Sequence, residues 1–183
     1  MSATARYSTF ARNQAGERGG AVATIARDED AEAETIFDST ILWDNDAPES
    51  LAVLNNIDTP YEAFAKSRFS HSLIQGSGGS GSSGGFWDID DHGNGSYDDG
   101  NNVDADPLFE YHGFSNGGRV ETVAFYSDQS AAFNGGDEDS CPDTDARGKP
   151  RPARGGCDIG AFEYQLSDKG PLIFNDRFES ANP

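Results

Sequence analysis

The residues best suited to chemistry are acidic side chains in one glycine-rich stretch, residues 86–107. No Lys or Arg occurs between Arg68 and Arg119, so no basic residue nearby in the sequence neutralises their charge. Calcium takes several hard oxygen ligands in flexible geometry, which closely spaced aspartates can supply. The candidate calcium ligands are Asp88, Asp90, Asp91, Asp98 and Asp99. The stretch is interpreted either as a calcium site or as a solvated acidic loop, because His92 and Asp99 break the spacing of a helix–loop–helix calcium loop.

A second set of side chains has the types needed for cleaving polysaccharides. That chemistry needs paired carboxylates or calcium-binding acids, together with a base, on one face of the molecule. The candidates are Asp44, Asp46, Lys66, Arg68 and His71. No motif selects any of them, and the three histidines share no metal-ligand spacing. The sequence therefore assigns no catalytic residue and favours a non-catalytic protein.

The two cysteines, Cys141 and Cys157, bracket a polar loop and predict a disulfide, which forms in an oxidising compartment. The N-terminal segment has no apolar core of a signal peptide. The disulfide indicates secretion, whereas the N-terminal segment has no signal for it. The simplest interpretation is that the chain is a C-terminal piece of a longer secreted protein, or that its start is misplaced. Between the cysteines lies a basic cluster, for which we favour pairing with nearby aspartates over binding of an anionic glycan or lipopolysaccharide: Arg147, Lys149, Arg151 and Arg154.

Composition limits the class of protein and of partner. The formal net charge of −19 disfavours nucleic acid and anionic lipid, because both bind basic surfaces. No apolar run is long enough to cross a membrane. Hydrophobic residues make up 35% of the chain and glycine contributes 22 residues, and no convincing amphipathic helix is present. This composition favours short strands joined by many turns.

A weak repeat organises the first half of the chain. The segments STFARN, STILWDN and SHSLIQG place Phe10, Leu42 and Leu73 at intervals of about 32 residues, and the apolar pair at 108–109 suggests a fourth copy. A period of this length with no intervening helix favours a β-solenoid, in which stacked rungs bury an apolar column that one rung cannot bury alone. Asn13 and Asn45 would occupy equivalent corners and form a hydrogen-bonded ladder.

Short motifs add a family resemblance. The motif from Phe10 to Asn13 (FxxN), followed by Gly19 and Gly20 (GGA), resembles the repeats of polymorphic outer-membrane proteins, which are right-handed parallel β-helices of bacterial surfaces. Residues 102–109, with Asp106 and Pro107, resemble a DADPLF element of such proteins. The stretch CDIGAFE resembles the C-terminal signature of choice-of-anchor Q β-helix proteins through Asp158, Gly160 and Glu163. The resemblance implies an all-β, right-handed parallel β-helix.

The expected organisation has β-helix rungs over residues 1–166 and a tail over residues 167–183. Within the rungs we expect a Gly/Ser-rich and acidic loop insertion over residues 76–107. The Cys-bracketed terminal element, residues 141–164, would deliver a last strand over residues 159–164. The expected function is a non-catalytic, secreted or cell-surface module that adheres to or contacts a surface glycan or a host or cell-envelope component. The alternative is part of a carbohydrate-active β-helix enzyme, of the polysaccharide lyase or glycosidase type.

Overall fold

The structure, a computed structural model, describes residues 1–16, 19–26, 31–47, 53–57, 64–91, 93–113 and 118–168. The regular secondary structure of this part of the chain is almost all strand, with three short 3-10 helices at Gly85–Trp87, Glu138–Ser140 and Leu166–Asp168. His92 and the part of the predicted tail that follows Asp168 lie outside the described residues. The strands are β1 (Ser2–Arg6), β2 (Thr9–Ala11), β3 (Val22–Ala26), β4 (Glu32–Asp38), β5 (Ile41–Trp43), β6 (Val53–Ile57), β7 (Phe64–Ser70), β8 (Leu73–Ile74), β9 (Gly95–Asp98), β10 (Tyr111–Gly113) and β11 (Thr122–Ala124).

Parallel pairing dominates the fold. The first sheet has the order β1-β4-β7-β9, the second β2-β5-β8 and the third β3-β6, and all of these neighbours are parallel. Each of the first three passes of the chain therefore adds one strand to the first and second sheets, and the first two passes also build the third. Strand β9 of the fourth pass then extends the first sheet alone. Strands β10 and β11 form a separate antiparallel pair. The prediction of an all-β protein with parallel sheets is confirmed.

Buried and exposed side chains alternate along the strands, so that one face forms an inner column and the other an outer face. In β7 the side chains of Ala65, Ser67 and Phe69 are buried, while those between them are more exposed. Phe37 and Phe69 stack inside with ring centroids 4.7 Å apart and planes 6° apart, because parallel in-register pairing places them on neighbouring strands. Leu42 and Ile74 of the second sheet complete this buried column.

The Gly/Ser-rich segment closes one end of the inner column. Phe86 and Trp87 pack against Phe69, with ring centroids 5.4 and 5.9 Å from its ring. The indole Nε1 of Trp87 donates to the carbonyl oxygen of Gly79. The segment predicted to be a loop insertion thus covers apolar side chains, and it also contains strand β9, which extends the first sheet.

A second core lies on the opposite, outer face of the second sheet. Ile41 and Leu73 point outward and pack with a buried set from the C-terminal part of the chain: Ala124, Phe125, Ala132, Ile159, Phe162 and Tyr164. No strand forms over residues 159–164, so the expectation of a last strand is wrong. The Gly160 N–H instead donates to the Ser39 carbonyl, and a Cβ at Gly160 would lie 2.7 Å from Ile41. The terminal element therefore lies along the side of the sheets.

The register of the later repeats differs from the sequence expectation by one residue. Phe10 pairs with Leu42 as expected, but Leu42 pairs with Ile74, and Leu73 pairs with Ile41. The next bridge to Leu73 comes from Val103, so the fourth pass runs through Val103 and not through residues 108–109.

Candidate functional site

Two corners of the chain carry non-glycine residues in the left-handed backbone region, which is uncommon outside turns and functional sites. We define the first corner as Tyr7, Ser39, His71 and Asn101, which follow β1, β4, β7 and β9 and have φ angles of 44°, 50°, 46° and 59°. The second corner follows the second sheet and includes Arg12 and Asp44, both with a φ angle of 58°.

The second corner carries a ladder of side-chain amides. Asn45 Oδ1 accepts hydrogen bonds from the backbone N–H and the Nδ2 of Asn13, 32 residues earlier. Asn45 Nδ2 donates to the Phe10 carbonyl at 2.8 Å. One pass later, Gln75 Oε1 accepts from the Asp44 N–H at 2.7 Å. Gly20 of the GGA motif fits against this corner, because its Cα approaches the backbone of Asp46 too closely for a side chain.

A polar groove of about 460 Å³ opens beside the ladder. Its lining residues are Arg12, Gln14, Asp44, Asn45, Asp46 and Gln75. Arg12 and Asp44 form an ion pair at 3.5 Å, and their side chains are 47% and 65% exposed. Because water screens such a pair, its contribution to stability is small and both groups stay available to a ligand.

The predicted calcium ligands mostly have protein partners. Asp90 accepts from the N–H and the Nδ2 of Asn94. Asp99 binds the guanidinium of Arg68 through two hydrogen bonds of 2.8 Å, which raise the pKa of Arg68. Asp88 and Asp91 are exposed. Among the described residues, these aspartates do not bring three potential ligand atoms within 4.8 Å of one another. Calcium binding here stays a prediction.

Asp98 is the last residue of β9 and pairs with Phe69 of β7. Its carboxylate accepts from the Ser80 hydroxyl, the N–H groups of Gly81 and Gly100, and the Asn102 amide. Burial alone would raise the pKa of Asp98, but these hydrogen bonds together lower it. The carboxylate therefore holds the Gly/Ser-rich segment against the fourth pass of the chain.

The candidates for polysaccharide chemistry lie in three separate places. Asp44 and Asp46 line the groove at the second corner. Lys66 pairs with Glu34 at 3.7 Å on the outer face of the first sheet, where Arg68 binds Asp99. His71 lies at the first corner. The geometry thus keeps the two carboxylates apart from the basic residues.

The terminal element is held by a dense polar network. The predicted disulfide between Cys141 and Cys157 is present, with a sequence separation of 16. Asp145 accepts from the Arg147 guanidinium and the N–H groups of Lys149 and Glu163. Arg154 pairs with Asp128 at 3.8 Å. Three of the four residues in the basic cluster are thus engaged internally, because Arg151 also lies 3.6 Å from Glu163.

The residues of the resembling motifs are structural in this network. Asp158 accepts from the N–H groups of Asn134 and Tyr164, and burial raises its pKa to about 7. Glu163 accepts from the N–H groups of Ala153 and Asp158.

Further along the chain, Asp106 caps the Leu108 N–H, and the Pro107 carbonyl accepts from the Ser130 hydroxyl. These contacts fix loops.

Sequence reasoning missed one grouping altogether. Asp38, at the end of β4, and Asp137, before a 3-10 helix, come together with His71 at the first corner. Asp38 and His71 lie 33 positions apart and Asp137 a further 66 along the chain, so no local spacing marks the set. The left-handed backbone at position 71 is the only local signal among these three residues. It can be recognised only once the register of the strands is known.

No helix among the described residues has the length and apolar character of a membrane span. Comparison with known proteins found no matching family model, no matching curated protein and no matching solved structure.

Proposed function

We propose that the chain is a right-handed parallel β-helix that serves as a non-catalytic secreted or cell-surface module and contacts a glycan at the second corner. The parallel sheets support the fold proposal, because each pass returns to the same sheet about one repeat later. Crossovers between parallel strands of one sheet are right-handed in about 98% of cases. A crystal structure with left-handed connections would refute this part.

The disulfide and the surface charge support the proposed location. A disulfide persists in oxidising compartments, and Cys141 and Cys157 are joined by one. The net charge of −19 keeps such a protein dispersed and disfavours anionic partners. A module at the cell surface would therefore meet neutral or cationic polymers more favourably than acidic ones.

The single observation that carries the ligand proposal is the polar groove beside the Asn13–Asn45 ladder. Amide and carboxylate groups from successive passes stand side by side there, at the spacing of neighbouring strands. Such groups form hydrogen bonds with the closely spaced hydroxyls of a sugar chain. Asp44 and Asp46 outnumber Arg12 in the lining, so the groove favours a neutral or cationic glycan.

Affinity electrophoresis through gels that contain neutral polysaccharides, chitosan or pectate tests the proposal. The informative variant is Asp44→Asn, because asparagine tolerates the left-handed backbone at this position. The matched control is Glu110→Gln, which removes the same charge from an exposed side chain away from the groove. Losing one charged hydrogen bond should weaken retention about tenfold in Asp44→Asn.

Retention by a neutral or cationic polymer, weakened by Asp44→Asn and kept by Glu110→Gln, would support the proposal. Equal retention of both variants, or retention by none of the polymers, would contradict the glycan site. Release of unsaturated sugars that absorb in the ultraviolet would contradict the non-catalytic part.

A further inference from the structure

The first corner brings together three side chains of the kinds that bind metal ions. One ligand atom each from Asp38, His71 and Asp137 lies within 4.8 Å of the other two. Asp38 ends β4, His71 follows β7 in the next pass, and Asp137 lies four residues before the terminal element. Pairing of β4 with β7 places the first two on adjacent passes, and hydrogen bonds of Asp137 with Ser39 and Tyr7 bring in the third.

Asp137 is fixed in place by its backbone. Its N–H donates to the Ser39 hydroxyl at 2.9 Å, and its carbonyl accepts from the Tyr7 hydroxyl. Its carboxylate caps the N–H of Asp139 at 3.1 Å through one oxygen, which leaves the second oxygen for another partner. The carboxylate is thus held at the corner by contacts that do not depend on an ion.

His71 carries an unmet bonding group at the same point. Its Nδ1 is buried and has no hydrogen-bond partner among the described residues. Its Nε2 lies 2.8 Å from the side-chain amide of the exposed Asn101. Turning that amide over presents its oxygen to an Nε2–H, which leaves the lone pair on Nδ1, and metal-binding histidines commonly have such a carbonyl partner.

Asp38 supplies a buried carboxylate. Its side chain is only 9% exposed and accepts from the hydroxyls of Ser70 and Ser140. Arg6 approaches it at 3.6 Å, but the Arg6 side chain is 62% exposed and is free to turn towards solvent. Two carboxylates and one imidazole then remain close together at the first corner, and the buried Nδ1 of His71 is costly to leave without a partner.

We propose that Asp38, His71 and Asp137 form a binding site for a divalent first-row metal ion, with Zn²⁺ as the best fit. Imidazole and carboxylate ligands suit Zn²⁺, whereas calcium prefers oxygen ligands alone. Ligand distances of about 2.0–2.2 Å require these three atoms to lie within roughly 4 Å of one another, close to the observed arrangement. The ion would tie the segment just before the terminal element to two passes of the first sheet.

Isothermal titration of the full chain with Zn²⁺ tests the site, after metal removal with a chelator and without a histidine tag. His71→Asn removes the imidazole and keeps a residue that tolerates a φ angle of 46°. Asp137→Asn keeps an oxygen to cap Asp139 and removes the charge. The matched control is Asp139→Asn, which changes an exposed carboxylate in the 3-10 helix that follows Asp137 and lies outside the cluster.

We expect one Zn²⁺ per chain, at least tenfold weaker binding in His71→Asn and in Asp137→Asn, and unchanged binding in Asp139→Asn. At a concentration of zinc 100-fold above Kd, the thermal midpoint of the wild type should rise by about 5–10 °C. Any rise that calcium causes should be the same in the wild type and in His71→Asn, which separates this site from the acidic stretch.

Absence of binding to the wild type, or equal affinity in the wild type and both cluster variants, would overturn the proposal. So would an equal loss in Asp139→Asn, because the effect would then reflect surface charge. If His71→Asn fails to fold by circular dichroism, Asp137→Asn decides the outcome alone.

Discussion

Replacing Asn102 by alanine tests whether side-chain amides hold the passes of the chain together. Asn102 is 5% exposed. Its Oδ1 accepts from the Ser72 N–H at 3.0 Å, and its Nδ2 donates to the Phe69 carbonyl at 2.8 Å and to Asp98 at 2.7 Å. The alanine variant leaves the buried Ser72 N–H without a partner and takes one donor from Asp98.

The size of the effect follows from these contacts. An unmet buried N–H costs about 1–3 kcal/mol, and a lost hydrogen bond to a carboxylate about 1.5–3 kcal/mol. The Phe69 carbonyl keeps a second donor, the Asp99 N–H, and adds little. We therefore expect Asn102→Ala to lower the free energy of unfolding by about 3 kcal/mol.

Urea unfolding followed by tryptophan fluorescence measures this loss. The matched control is Asn45→Ala, which removes an equivalent amide from the half-exposed second corner, where water replaces it and the cost is about 1 kcal/mol. Asn102→Asp should destabilise the protein more at pH 7 than at pH 4.5, because an ionised carboxylate at position 102 would face Asp98. If Asn102→Ala costs no more than Asn45→Ala, the amide is not a main link between the passes.

Other predictions concern the cores and the terminal element. Because burial raises the Asp158 pKa to about 7, the protonated carboxyl stabilises the fold below pH 4, and this stability is lost as the pH rises to 7. Relative to Asp158→Asn, the wild-type free energy of unfolding should therefore fall by on the order of 3 kcal/mol between pH 4 and pH 7. Urea unfolding at each pH measures this fall. Replacing both Cys141 and Cys157 by serine should cost about 3 kcal/mol under non-reducing conditions, and a double variant as stable as the wild type would contradict this. Phe37→Ala should cost about 3–5 kcal/mol in the same assay, since its ring is fully buried, and a loss under 1 kcal/mol would count against the inner column.

The parallel strands and the disulfide could be predicted because their signals are local. Repeated Ser-Thr-apolar segments give the alignment of Phe10 with Leu42, and two cysteines allow one pairing. The one-residue error at Leu73 has a physical cause. Ile41 and Leu42 are adjacent and both fully buried, one in the outer core and one in the inner column, so hydrophobicity does not tell which of them the next strand aligns with.

The terminal element could not be placed from the sequence for a related reason. Ile159, Phe162 and Tyr164 have the apolar character of a strand, yet they bury against the outer face of a sheet whose strands lie 85 or more residues earlier in the chain. The first-corner cluster depends on the same long-range docking. Only the register and this docking bring Asp137 to His71.

The lateral docking of the terminal element also changes how the molecule should come apart. Stacked repeats that touch only their neighbours lose structure gradually from their ends. Here the Tyr7 hydroxyl bonds to Asp137, 130 residues away, and the Thr9 hydroxyl to Ala161, 152 residues away. Such distant closures slow folding and join the first pass and the terminal element in one cooperative unit. Native-state hydrogen exchange should accordingly report a shared opening free energy for the amides of Ile41 and Ile159.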